Sequence, residues 1–226
     1  MQVANRASSR TRKKILQTSI ELFNCQGVQN VSLESIAVRM GISRSNLTYH
    51  FKRKQDLLRA TLVVLEQQLR EALAPPARAI VPEEGAQYMV RILHALWDFR
   101  YFFNGLTHLL TSDPQLRTQY FLFEAWVIES LDQRLQDMIQ HGDCQPPRAP
   151  NTTRLLAENI WSQWRGWLHM QHIESPDAAR PEGQAFYDCA LHNWCLMEPY
   201  FSASYARDLL AVYRRLMLAE ANDASA

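Results

Sequence analysis

A three-residue connection constrains this chain more than any other feature. Gly41-Ile42-Ser43 separates an apolar stripe at helical spacing, Leu33, Ile36, Ala37 and Met40, from a short third helix predicted from Arg44 to about His50. Ser32 and Ser43 supply N-cap oxygens to these two helices, and Gly41 suits the left-handed conformation that stops the first of them. Two capped helices joined by a tight glycine turn form a helix-turn-helix. Upstream, Ile15, Leu16, Ser19, Leu22 and Phe23 make a stripe that ends at Gly27. Downstream, a fourth helix runs from about Arg53 to Leu73, with Leu58, Leu62, Leu65, Leu69 and Leu73 on one side and Pro75-Pro76 as its stop.

Charge separates this region from the rest. The formal net charge of the 226 residues is +1. Residues 1–60 carry eleven Lys and Arg against three Asp and Glu, a net +8, and the remaining 166 carry −7. All four lysines lie at or before Lys54, whereas 20 of the 23 aromatic residues follow residue 60. Such asymmetry points to a nucleic-acid-binding segment joined to a larger acidic, aromatic one. The sequence therefore divides into residues 1–60 and 61–226.

The larger part also reads as helices. One starts near Pro82, carries Met89, Ile92, Leu93, Leu96 and Trp97, and runs into the cluster Phe99, Tyr101, Phe102 and Phe103. Asp113-Pro114 restarts a helix bearing Leu116, Tyr120, Phe123, Val127, Leu131, Leu135 and Met138, which ends near Gly142. Another begins at Asn151 or Thr152 and bears Ile160, Trp161, Trp164, Trp167 and Leu168; a loop follows at Ser175 to Pro181. Two more, from about Glu182 to Met197 and from Phe201 to Leu218, are divided at Pro199. The predicted fold class is all-α.

The segments Ser32-Leu33-Glu34-Ser35-Ile36-Ala37, Met40-Gly41-Ile42-Ser43, Leu47-Thr48-Tyr49-His50-Phe51 and Lys54-Gln55-Asp56-Leu57-Leu58 resemble the DNA-binding domain of the tetracycline-repressor (TetR) family. The resemblance implies an N-terminal three-helix DNA-binding domain and a larger helical regulatory and dimerisation domain, whose last long helices pair two subunits. It also implies a double-stranded DNA operator, a homodimer and a small-molecule effector held among the middle helices. Two positions depart from the pattern: Thr48 stands where an aromatic is frequent, and Ser45 where glycine is frequent.

Short side chains at the start of a helix let it approach the major groove, so Arg44, Ser45, Asn46 and Thr48 are the candidate base readers. Arg44 suits guanine, Asn46 adenine and the Thr48 methyl thymine. Tyr49, His50, Lys54 and Ser32, with the amides opening the fourth helix, are candidate backbone contacts. Arg6, Arg10, Arg12, Lys13 and Lys14 form a basic arm that adds non-specific attraction.

For the effector, Trp97, Tyr101, His108, Tyr120, Phe123, Trp126 and Trp164 combine aromatic surface with polar tips, and Arg100 and Arg165 are candidate partners for an anionic group. The Trp161/Trp164/Trp167 helix and the Phe186 to Met197 helix fit either a subunit interface or the core of one subunit.

Other classes have less support. Cys25, Cys144, Cys189 and Cys195 include no CxxC pair, and the polar start lacks an apolar leader, which together point to the cytoplasm. No apolar run reaches about 18 residues, so no membrane span is expected. His169, His172, Cys189, His192 and Cys195 match no common zinc spacing, and no metal or other cofactor is expected. No phosphate-cradling glycine loop or GxSxG occurs, and the chain is not expected to be an enzyme.

Overall fold

The computed structural model describes residues 2–74, 81–174 and 183–223, with side chains for 8–74, 81–174 and 185–215. The Arg6 side chain, the Pro75-Pro76 stop, the 175–181 loop and the expected start at Glu182 lie outside the described residues. In chain order the helices are α1 (Gln2–Gln26), α2 (Leu33–Met40), α3 (Arg44–His50), α4 (Lys54–Ala72), α5 (Pro82–Asp98), α6 (Arg100–Asn104), α7 (Leu106–Ser112), α8 (Pro114–Gln140), α9 (Thr153–Glu174), α10 (Gly183–Met197) and α11 (Ala203–Asp223). Short 3₁₀ turns occupy Val28–Asn30 and Glu198–Tyr200. Among the described residues the only strand-like pairing is one bridge between Cys144 and Phe201.

The tight turn forms as its residues predict. Ser32 caps α2 by accepting from the Ser35 amide at 3.0 Å, while Ser35 Oγ accepts from the Ser32 amide at 2.9 Å, a reciprocal box built from two serines. Gly41 takes φ 66°, and its amide and that of Ile42 donate to the carbonyls of Val38 and Ala37. That pattern satisfies two orphan carbonyls at the end of α2. Ser43 then accepts from the Asn46 amide at 3.2 Å and starts α3.

The chain packs as two compact units, 1–68 with 98–122, and 69–97 with 123–226. α4 and α8 each pass from one unit into the other, and α6 and α7 belong to the first. The core of the first unit is built from Ile15, Phe23, Ile36, Leu47, Phe51, Leu57 and Leu62, all buried, so each of α1 to α4 contributes. Burial at Leu47 leaves α3 with a polar outer side.

α5 does not continue through the aromatic cluster. The helix breaks at Phe99, and Asn24 of α1 takes up the backbone groups this exposes. Its Nδ2 donates to the Asp98 carbonyl at 2.8 Å, and its Oδ1 accepts from the Tyr101 amide at 3.1 Å. Tyr101, Phe102 and Phe103 are thereby turned into the core. Arg59 on α4 pairs with Asp113 through Nε at 2.9 Å and Nη2 at 3.0 Å. Asp113 also caps α8 by accepting from the Gln115 and Leu116 amides. The second unit is centred on tryptophans, with Trp97 packed on Trp167, Trp167 on Phe186, and Trp161 against Phe123 and Trp164.

Candidate functional site

In the first unit, α3 carries Arg44, Ser45, Asn46 and Tyr49 as exposed residues, while Thr48 and His50 are half-buried. Tyr49 is 79% exposed and stands edge-on to the His50 ring, with centroids 5.2 Å apart. The Thr48 hydroxyl donates back to the Arg44 and Ser45 carbonyls at 3.0 and 3.2 Å, which leaves its methyl as the group available to a partner. Ser45 Oγ lies 3.0 Å from Ser43 Oγ, and Arg44 Nε lies 3.7 Å from a Glu34 carboxylate oxygen. Both Arg44 and Glu34 are more than half exposed, so that pair is weak and easily exchanged for another acceptor.

Two of the expected phosphate contacts have structural work inside the unit. Lys54 Nζ donates to the carbonyls of Val28 and Val31, tying the 3₁₀ turn to the first residue of α4, and its pKa is lowered by burial. Ser32 uses its hydroxyl in the cap of α2. The basic arm is part of α1 rather than a separate strand of chain, and the Arg12 guanidinium lies over the Phe51 ring at 4.8 Å.

The second unit contains a cavity of about 100 Å³. Its walls are Tyr88 and Met89 from α5, Leu131, Arg134, Leu135 and Met138 from α8, Ile160 and Trp164 from α9, Asn193, Trp194 and Met197 from α10, Phe201, and Tyr205, Leu209 and Tyr213 from α11. Burial raises the pKa of Tyr88, against the opposing charge of Arg134, and that of Tyr205. It pushes Tyr213 up to about 12, so these phenols remain neutral donors at physiological pH. Four buried polar atoms, Tyr88 Oη, Arg134 Nη2, Trp164 Nε1 and Asn193 Oδ1, have no protein hydrogen-bond partner of normal geometry. A mainly apolar wall with a few polar groups is the usual composition of a small-molecule site.

Comparison with known proteins decides the family. The profile described as "Bacterial regulatory proteins, tetR family" matches residues 15–61, and that described as "Bacterial transcriptional repressor" matches residues 64–209. The chain belongs to the TetR family. Among similar curated proteins, the HTH-type transcriptional regulator UidR of Escherichia coli K12 is 25% identical over 75% of this chain and 85% of that protein. The HTH-type transcriptional regulator BetI of Cronobacter sakazakii is 26% identical over 38% of this chain, a match that spans only 43% of BetI. A TetR-family regulator from Marinobacter aquaeolei VT8 superimposes with a TM-score of 0.79, 28% identity, and coverage of 91% of this chain and 98% of that one. A candidate regulator from Saccharomonospora viridis, solved in complex with choline, shares the fold at a TM-score of 0.67 and 18% identity, with coverage of 86% and 99%. The protein is a DNA-binding transcriptional regulator of the TetR family, and the family and these relatives are regulators, not enzymes. No helix among the described residues is long and apolar enough to cross a membrane.

Of the seven aromatic and histidine residues expected to meet an effector, only Trp164 lines the cavity of this TetR-family chain. Tyr101 and Tyr120 belong to the other unit and are core residues: Tyr101 Oη donates to Thr61 Oγ1 at 2.7 Å, and Tyr120 stacks on Phe102. His108 is exposed on α7. Trp97 and Phe123 are buried against other rings, and Trp126 lies under the Arg70 guanidinium at 4.1 Å. Neither Arg100 nor Arg165 reaches the cavity; Arg165 pairs with Glu124 at 2.8 Å. Arg134 does reach it. Its signal was present in the sequence: it lies one helical turn from Leu131 and Met138, on the apolar side of α8. Among the described residues no three His, Cys, Asp or Glu side chains come together as metal ligands. Cys189 is buried with its thiol near Gln163 Nε2, whereas Cys195, His169, His172 and His192 are exposed.

Proposed function

We propose that this chain is a homodimeric repressor that binds a pseudo-palindromic operator and responds to a small molecule held in the second unit. The exposed polar face of α3, held from behind by Leu47, carries the proposal. Arg44, Asn46 and the Thr48 methyl read bases, while Tyr49 and His50 steady the backbone. The family profile over residues 64–209, described as a bacterial transcriptional repressor, supports repression over activation.

Support for pairing comes from α9. Trp161, Trp164 and Trp167 are buried within the unit, so they serve its own core. The outer side of α9 instead exposes Leu155, Asn159, Ser162, Gly166, Met170 and Ile173, each three or four residues from the next. A Cβ at Gly166 would meet nothing within 4 Å, so another helix can approach closely there. A twofold dimer would place two α3 helices about 34–36 Å apart on successive major grooves. Ligand binding shifts DNA affinity by the difference in its affinity for the two states of the dimer. The choline held by the Saccharomonospora viridis neighbour supports a small-molecule site in a fold of this kind.

Selection of genomic fragments by the purified full-length protein tests this reading. One enriched pseudo-palindromic sequence, bound by two chains, is expected. No enrichment above background at moderate salt overturns it, and an enriched sequence from which transcription rises when the protein is added makes the protein an activator.

A further inference from the structure

The cavity has a charge, and that charge selects its ligand. Its aromatic side, which includes Tyr88, Trp164, Trp194 and Tyr205, resembles the cages that hold quaternary ammonium groups. Arg134 changes that reading. The Arg134 guanidinium already lies over the face of Tyr88, 5.2 Å from the ring centroid, so a fixed cation occupies the position a ligand cation would take there. No Asp or Glu lines the cavity, and among the described residues none lies within ion-pair distance of Arg134. A second positive charge would meet repulsion from Arg134, while the carboxylate felt at the wall, Asp143 acting on Tyr205, lies outside the lining.

The unpartnered polar atoms point the same way. Arg134 Nη2 and Trp164 Nε1 are donors without protein acceptors, and Trp164 is only 2% exposed. Tyr88 Oη lies against the Arg134 guanidinium and, neutral at physiological pH, keeps its own proton to donate. Donors from three of the helices that line the cavity suit an acceptor-only group with several lone pairs, which is the chemistry of a carboxylate. Asn193 Oδ1 remains as one acceptor for an O–H or N–H elsewhere on the ligand. The cavity volume, about 100 Å³, accommodates an apolar body the size of one ring or a short chain.

We infer that the effector is a small carboxylic acid with a compact apolar or aromatic body, its carboxylate bound by Arg134 and Trp164. The inference rests on the cavity being the effector site of the proposed regulator. Benzoate, benzamide and phenyltrimethylammonium carry one ring with an anionic, a neutral and a cationic head, and calorimetric titration of the full-length protein with each provides the test. Benzoate is expected to bind about tenfold or more tightly than benzamide, with the ammonium weakest; in Arg134→Gln the advantage of benzoate disappears. Arg165→Gln, which removes an arginine outside the cavity, keeps the ranking. Tighter binding of phenyltrimethylammonium or of choline, equal binding of benzoate and benzamide, no binding of any probe at millimolar concentration, or an unchanged ranking in Arg134→Gln overturns the inference. Should Arg134→Gln fail to fold, the ranking on the native chain decides. Fragment selection without ligand is independent: operator recovery with the ammonium preferred sinks the carboxylate alone, whereas benzoate binding without operator recovery sinks the regulator reading alone.

Discussion

The tight turn of the first unit and the cavity of the second handle their polar groups in opposite ways. In and beside the turn, the polar side chains are paired locally: Ser32 with Ser35, Ser43 with the Asn46 amide, Thr48 with two carbonyls. What remains exposed on α3 is a preformed surface whose side chains await only a partner. Around the cavity of the second, four polar atoms are buried without a protein hydrogen bond of normal geometry. Burying such groups is unfavourable, and around this cavity the second unit carries that cost beside an arginine with no carboxylate partner. The polar groups of the tight turn are satisfied before any partner arrives, whereas those around the cavity would gain from a partner that filled it.

The largest expected effect attacks the satisfied side. Asp113 is 5% exposed and Arg59 about a quarter exposed, and Asp113→Asn weakens a two-point ion pair while keeping an acceptor for the α8 cap. The loss is about 2–3 kcal/mol, within the range for hydrogen bonds to charged groups. That lowers the melting temperature by roughly 5–10 °C for a chain of this size. Burial alone would raise the pKa of Asp113; its bonds from Arg59 and the Leu116 and Gln115 amides outweigh that and hold it below the usual carboxylate value. A depressed carboxylate contributes its stability above the unfolded pKa of about 3.9, and the contribution fades as pH falls through the folded value. Urea titrations should therefore show a full gap between native and Asp113→Asn protein near neutrality, closing in acid. A gap that stays constant with pH would mean that Asp113 acts through shape alone.

The unsatisfied side should respond with the opposite sign. Asn193 is 9% exposed and its Oδ1 is unpartnered. Asn193→Leu keeps the size, removes that cost, and is expected to raise stability by about 1 kcal/mol, or roughly 2–4 °C in melting temperature. Destabilisation by a similar amount would show that Asn193 is satisfied in the ligand-free protein and would erase the contrast between the units.

The first unit was legible because its determinants are local. Ser32, Gly41, Ser43 and Asp113 each act on amides or carbonyls within a few residues, so their caps and turns follow from short spacings. The break of α5 was not legible, since it depends on Asn24, more than seventy residues away, accepting from Tyr101. The cavity was less so. Tyr101, Tyr120 and Trp164 look alike as polar-tipped aromatics at helical spacing, yet which of them faces a void depends on five helices meeting. Arg134 does not stand out from Arg100 and Arg165 in the sequence, because a charge on a long helix reads as solvated until its neighbours are known. Lys54 shows the same limit within the first unit: its family position implies phosphate, and its carbonyl partners come from a turn more than twenty residues earlier.

That last pair of roles can be separated by the smallest expected effect on stability. Asn46 is exposed and its side chain makes no capping bond; its backbone amide serves the cap. Asn46→Ala should therefore leave the melting temperature within about 1–2 °C, since surface changes away from special features stay near ±0.5 kcal/mol. It should nonetheless lose about 1–3 kcal/mol of discrimination at one base pair per half-site, the value of a good bidentate contact. Lys54→Ala is the counterpart: melting falls because the Val28 and Val31 carbonyls lose their donor, and affinity drops for every duplex without a change in preferred sequence. Binding measured across single-base variants of the selected operator, alongside melting of each protein, resolves the two. If Asn46→Ala weakens all duplexes by one common factor, α3 docks without reading at that position, and the contrast between an outward-reading unit and an enclosing one loses its sharpest support.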